Sequence, residues 1–149
     1  MRTSRNAVLS LLVAALLAAS TAFMGAAPAS ATTTREGRMI AKINATRVAH
    51  GLQPLTVSTE LMHAAKSHTR AMAGTRTLYH TSSFSSLSPW RLIAENVGYG
   101  FSVAGLHQQF MSSAPHRANI LDPRLRQVGV GIVSSGGYLW VTETFRQPR

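Results

Sequence analysis

Three residues of this chain have side chains suited to holding a divalent metal or moving a proton, and each falls in an irregular or helix-edge context: His80, Glu95 and His116. Two imidazoles and one carboxylate make a workable ligand set for a transition metal such as zinc. The intervals are fifteen and twenty-one residues, unlike the paired histidines of a helical metal motif, so only the fold can bring them together. The alternative is that ordinary hydrogen bonds hold each of them. The remaining histidines offer less. His63 and His68 are five apart and miss a shared helical face, and His50 and His107 have no acidic neighbour in the sequence. Ser112 and Ser113 lie just before His116, yet no nucleophile elbow surrounds them, and Asp122 is the sole aspartate that could orient a triad. The chain has no cysteine, which removes thiol nucleophiles, thiolate metal sites and disulfides together.

Glu143 is a different kind of oddity. It shares the face of the last predicted strand with Leu139, Val141 and Phe145, where an unpaired carboxylate would cost several kcal/mol if buried. That end of the strand either opens on a cleft, supplies a partner such as His80, His116 or an arginine, or is simply a solvated strand end.

The elements that must position these residues can be read from periodicity. Met39, Ile40, Ile43 and Val48 recur at helical spacing until Gly51. Ser58 has the character of an N-cap with Glu60 in the first turn, opening a second helix with Leu61, Ala64, Ala65, His68 and Met72 as its apolar stripe and an end near Gly74. From Gly74 to Ala94 the pattern fails and serines dominate, as in a long functional loop. Ser102 can cap a third helix carrying Val103, Leu106 and Phe110, and Pro115 suits the first turn of a short fourth one. The last quarter changes period. Val128, Val130 and Ile132 alternate with polar or glycine positions, Gly136-Gly137 makes a turn, and Tyr138 to Phe145 returns as a second strand. Helices first and an antiparallel hairpin last predict an α+β fold. No internal repeat is visible.

The amino terminus runs from Arg2 and Arg5 through an apolar stretch to Ala29-Ser30-Ala31, the order of a cleavable export signal over residues 1 to 31. An uncleaved membrane anchor is the alternative, since the uncharged stretch is nearly long enough to span. Cleavage leaves 118 residues, a single domain, with thirteen Lys and Arg against five acids and a formal charge of +8. That charge favours anionic partners such as acidic glycan or lipid headgroups. The basic residues are scattered singly, with no stacking motif or helix-turn-helix signal, which argues against nucleic acid.

Several of these segments together resemble one family. Ile43-Asn44 with Arg47, Gly51 to Leu55, Leu61 and Ala65, Tyr79-His80, Glu95-Asn96-Val97, Ser113 to Leu121, Val128 to Gly131 and Trp140 to Phe145 are similar, in that order, to a CAP domain, the fold of the cysteine-rich secretory, antigen 5 and pathogenesis-related 1 proteins. The cysteine-free, bacterial SCP-like extracellular branch fits best. The resemblance covers nearly all of residues 39 to 145 and implies an α-β-α sandwich, a central antiparallel sheet flanked by helices; the expected division is a flexible lead-in over residues 32 to 38, where Thr32 to Thr34 stand, and the domain over 39 to 149. It further implies a cleft with two histidines, His80 and His116, a first glutamate, Glu95, and Asn96 beside it. A second glutamate is expected about where Ser113 stands, so this chain departs from the fuller pattern. Glu143, at a place where relatives often carry glutamine, is the candidate to restore the missing carboxylate.

Three functions follow as expectations. The first is a secreted, non-enzymatic binding module for a lipid, glycan or protein ligand, with weak binding of a divalent metal, zinc foremost. The second is a metal-assisted hydrolase of peptides or esters, with Glu95 as ligand or general base. The third gives the His/Glu cluster a purely structural task.

Overall fold

Four helices and four strands follow one another along residues 34–149, the part of the chain that the computed structural model describes. In order they are α1 (Arg35–Ala49), β1 (Thr56–Val57), α2 (Thr59–Thr75), β2 (Trp90–Gly100), α3 (Val103–Ser112), α4 (Ala114–Ile120), β3 (Gln127–Ser135) and β4 (Tyr138–Pro148). The expected export signal, residues 1 to 31, lies outside the described residues.

Thr34 starts α1 by accepting the amide of Gly37 at 3.0 Å. The helix therefore begins within the expected lead-in, and residues 35–38 are helical rather than flexible. Steps of four from Met39 lead through Ile43 to Arg47, and these are buried, whereas Val48 points to solvent. Ser58 caps α2 as its residue type predicts. On α2 the buried seam takes Thr69 in place of His68, because the Thr69 hydroxyl is satisfied there by the Ala65 and Gly131 carbonyls and Thr142 Oγ1.

The sheet order is β1-β3-β4-β2. β3 and β4 form the expected hairpin, with Gly136 and Gly137 both at positive φ, the backbone that a two-residue turn of this hand requires. β4 pairs antiparallel with β2, whereas two-residue β1 runs parallel to β3, a short exception to the antiparallel sheet expected. β2 is not visible in the sequence, where the irregular pattern runs as far as Ala94. Its buried centre carries Glu95, Asn96 and Gly98 on alternating faces, so the apolar alternation that marks a strand is missing.

Helices cover both faces. α2 lies against the face that carries Gly129, Gly131, Thr142 and Thr144, and it lies close: a methyl added at Gly131 would sit 2.5 Å from the Ala65 carbonyl carbon. α1, α3 and α4 cover the other face over a core that includes Ile43, Leu106, Phe110, Val130, Val141 and Phe145. The result is an α+β sandwich with helical layers around a central sheet, and β2 is left as the sheet edge where the candidate site residues gather.

Candidate functional site

Neighbouring residues on a strand face opposite ways, and β2 uses this to split the site between two faces. Glu95 pairs in register with Thr144 and so faces α2, while Asn96 pairs with Glu143 and faces α3 and α4. Everything about the cleft follows from that parity.

On the α2 side, the loop after α2 delivers His80 and Thr81 to Glu95. His80 Nδ1 donates to Glu95 Oε1 at 2.9 Å. The Thr81 amide donates to the same oxygen at 2.9 Å, and the Thr81 hydroxyl donates to Oε2 at 2.6 Å. Both carboxylate oxygens are thus occupied and the Glu95 side chain is almost wholly buried, while the His80 side chain is 62% exposed. A carboxylate only accepts, so His80 carries its proton on Nδ1 and turns Nε2 outward.

On the opposite side, Pro115 in the first turn of α4 is followed directly by His116. His116 Nδ1 lies 2.9 Å from Ser113 Oγ, and its ring packs on Phe110 with centroids 5.0 Å apart. Desolvation holds its pKa below the ordinary histidine value, and the neighbouring His80 lowers it further, so the two imidazoles feel each other around the β2 edge. Neither His80 nor His116 has a hydrogen-bond partner at Nε2 among the described residues. A groove of about 260 Å³ opens at His116, lined by Leu78, Val97, Tyr99, Gln109 and Phe110 among others.

Asn96 ties α4 to the strand. Its Nδ2 donates to the His116 carbonyl at 3.2 Å and to Glu143 Oε2 at 2.9 Å, while its Oδ1 accepts from Asn119 Nδ2 at 2.9 Å. Asn119 Nδ2 also reaches the Glu95 carbonyl. Glu143 therefore partners an amide, not His80, His116 or an arginine, and it lies on the face opposite to the Glu95 carboxylate. It is fully buried, its Oε1 has no partner, and burial pushes its pKa up to about 8, with the Asn96 hydrogen bond pulling the other way. At neutral pH it is a protonated acid for the most part.

Among the described residues no three His, Asp or Glu side chains converge as a metal-holding group. What the geometry offers is two outward Nε2 atoms, with Glu95 and Ser113 placed to orient them from behind, as outer hydrogen-bond partners orient metal-ligating histidines. Thr81 and Asn119 were not assigned roles from the sequence. Thr81 adjoins His80 and Asn119 falls within the Ser113 to Leu121 segment, so the signal was position in a motif, without the contact that explains it.

The architecture is thus a helix-sheet-helix sandwich of the α+β class, with His80 and His116 beside the edge strand β2. The chain belongs to the CAP, or cysteine-rich secretory protein, family, whose match spans residues 40–145. Solved structures share the fold. An outer surface protein of Borrelia burgdorferi superposes with TM-score 0.72 at 15% identity, over 79% of this chain and 96% of that one. An extracellular protein containing an SCP domain from Bacillus anthracis gives 0.64 at 19% identity, over 76% and 40%. A cysteine-rich secretory protein from Staphylococcus aureus gives 0.56 at 20%, over 76% and 38%. This chain spans about two fifths of the latter two proteins. No curated protein sequence matches it significantly.

Proposed function

We propose that this is a secreted CAP-domain binding module without catalytic activity of its own, whose β2-edge cleft engages a lipid, glycan or protein ligand outside the cell. The observation that carries this reading is the commitment of Glu95. Three of its four acceptor sites are taken by His80 and Thr81, and the side chain is 4% exposed, so it is a poor base for a water in the cleft. Ser113 sits beside His116, but no carboxylate orients that imidazole, since Glu95 is engaged and Glu143 faces Asn96.

The same geometry supports weak binding of a divalent cation, zinc foremost, by His80 Nε2 and His116 Nε2, with Glu95 and Ser113 fixing the ring orientations. When bound, the ion supplies a Lewis-acidic anchor for an anionic or carbonyl group of the ligand. The lowered pKa of His116 keeps its imidazole neutral and able to ligate at neutral pH. Two imidazoles without an ionised carboxylate ligand make a weak site. Calorimetric zinc titration of the wild type, His80→Ala and His116→Ala tests it: affinity should fall in both variants, and wild-type affinity in either would overturn the assignment. Zinc-dependent turnover of peptide or ester substrates, lost in His80→Ala, would overturn the non-catalytic reading.

A further inference from the structure

Beyond the last turn of α2 the sheet continues without a helix over it, and the side chains left there are aromatic. Met72 and Ala73 cover Val97 and Trp140, and the chain then leaves the helix through Arg76 at φ 52°. Past that point Tyr99 of β2, in register with Trp140 of β4, and Tyr138 stand on the same face. Tyr99 meets Trp140 with ring centroids 5.1 Å apart and Tyr138 edge-on at 5.3 Å, and Phe101 continues the row beside Tyr138 at 5.0 Å. Trp140 forms the floor at 5% exposure with its indole N–H on the Ser135 carbonyl, while Tyr99 and Tyr138 are 46% and 37% exposed. Neither phenol hydroxyl has a partner among the described residues. Arg76, Thr77 and Leu78 form the facing wall of a cavity of about 480 Å³, within the size range of small-ligand sites.

We propose that this cavity, which shares Leu78 and Tyr99 with the groove at His116, is a carbohydrate-binding site for an acidic polysaccharide. A pyranose ring has an apolar C–H face and polar edges. Tyr99 and Tyr138 above a Trp140 floor offer flat apolar surface with hydroxyls at the rim, matching both parts. Arg76 forms no ion pair among the described residues, and its planar fork suits a sugar carboxylate. A second groove, beyond Phe101 and against the other face of the sheet, is lined by Arg35, Arg38 and Lys42 and adds to the positive charge at this end of the molecule. Of the five acids, Glu60, Glu95 and Asp122 are held by their own partners and Glu143 is buried, which leaves Glu36 alone to offset these cations. A bilayer surface is flat and takes projecting aliphatic side chains. Tyr99, Tyr138 and Trp140 line a hollow, with Phe101 projecting beside it at 81% exposure, and Leu78 is the sole aliphatic residue on its wall.

The test is calorimetric and fluorescence titration of the full chain with polygalacturonate, with dextran as the neutral polysaccharide and phosphatidylglycerol vesicles as an anionic surface without sugar rings. Polygalacturonate should bind and quench indole emission, and dextran should bind more weakly. Tyr99→Ala and Tyr138→Ala should each weaken binding about three- to tenfold, the worth of one aromatic contact. Arg76→Gln should also weaken it, and Arg91→Gln, at the far end of β2 from Tyr99, should leave it unchanged. Tyr99→Phe keeps the ring, the fold and most of the affinity, and Tyr138→Ser alters only a half-exposed ring should Tyr99→Ala unfold. Undiminished binding by the folded Tyr138 variants, or binding to the vesicles and not to polygalacturonate, overturns the proposal. So does an equal loss from any Arg→Gln or Lys→Gln change regardless of its distance from the cavity, because that signature belongs to net charge alone.

Discussion

Replacing Glu143 by glutamine should raise stability at neutral pH and leave it nearly unchanged in acid. In the folded protein the carboxyl is fully buried with one oxygen unpartnered and titrates at about 8, against about 4.5 in the unfolded chain. The folded state therefore holds this proton through a window where the unfolded state has released it. A raised folded value means that the contribution is fully present below pH 4.5, declines through neutrality and is lost above pH 8. At 1.36 kcal/mol per unit, the loss by pH 7.5 reaches at most about 4 kcal/mol, a large part of a small domain's stability. Glutamine at this position keeps an oxygen for Asn96 Nδ2 and cannot ionise. Urea unfolding of both proteins from pH 4 to 8.5 gives the difference curve, in which other titrating groups cancel, including His116, whose lowered pKa favours the fold as pH rises. The gain from glutamine should grow steadily from near zero at pH 4.5. Parallel pH profiles would refute the reasoning, because they would mean that Glu143 ionises as readily folded as unfolded.

Arg47→Met should cost about 3–5 kcal/mol in urea unfolding, since it leaves the carbonyls of Ile120 and Leu125 buried without their donor. Gly131→Ala should cost about 3 kcal/mol by forcing α2 away from the sheet, with faster hydrogen exchange along Leu61 to Met72 as the readout. Glu60 accepts from the Ser88 amide and hydroxyl and from buried Arg146, and these bonds, the Ser88 amide first, hold its pKa below the usual value. A lowered folded value gives stability that is present above pH 4.5 and lost as pH falls through the folded pKa. Glu60→Gln should therefore abolish that acid loss and speed proteolysis of the 76–89 loop.

How much of this was legible in the sequence depended on whether each position obeys one local rule. Ser58, Ser102, Pro115 and Gly136-Gly137 did, and the helices and hairpin fell where those residues place them. Arg47 and β2 did not. A charged residue on a buried helical stripe reads as a break in the pattern until the carbonyls around it are known, which is why Val48 stood in its place. β2 concentrates the site, and its buried Glu95 and Asn96 replaced the apolar alternation that would have announced it. The residues of the site were nameable by motif, but the division of Glu95 and Asn96 between opposite faces needed the register with β4.

Arg47 also answers a question that the missing cysteines raise. Its guanidinium gathers the carbonyls of Gln53, Ile120, Asp122 and Leu125, joining the end of α1 to a segment more than seventy residues away. In topology this is a cross-link, closing the kind of long loop that a disulfide closes in many exported domains. Unlike a disulfide, it needs no oxidant to form and no isomerase to correct, and a reductant cannot open it. The domain can therefore mature at the same rate and keep the same stability in oxidising or reducing surroundings, with dithiothreitol leaving its unfolding curve unmoved.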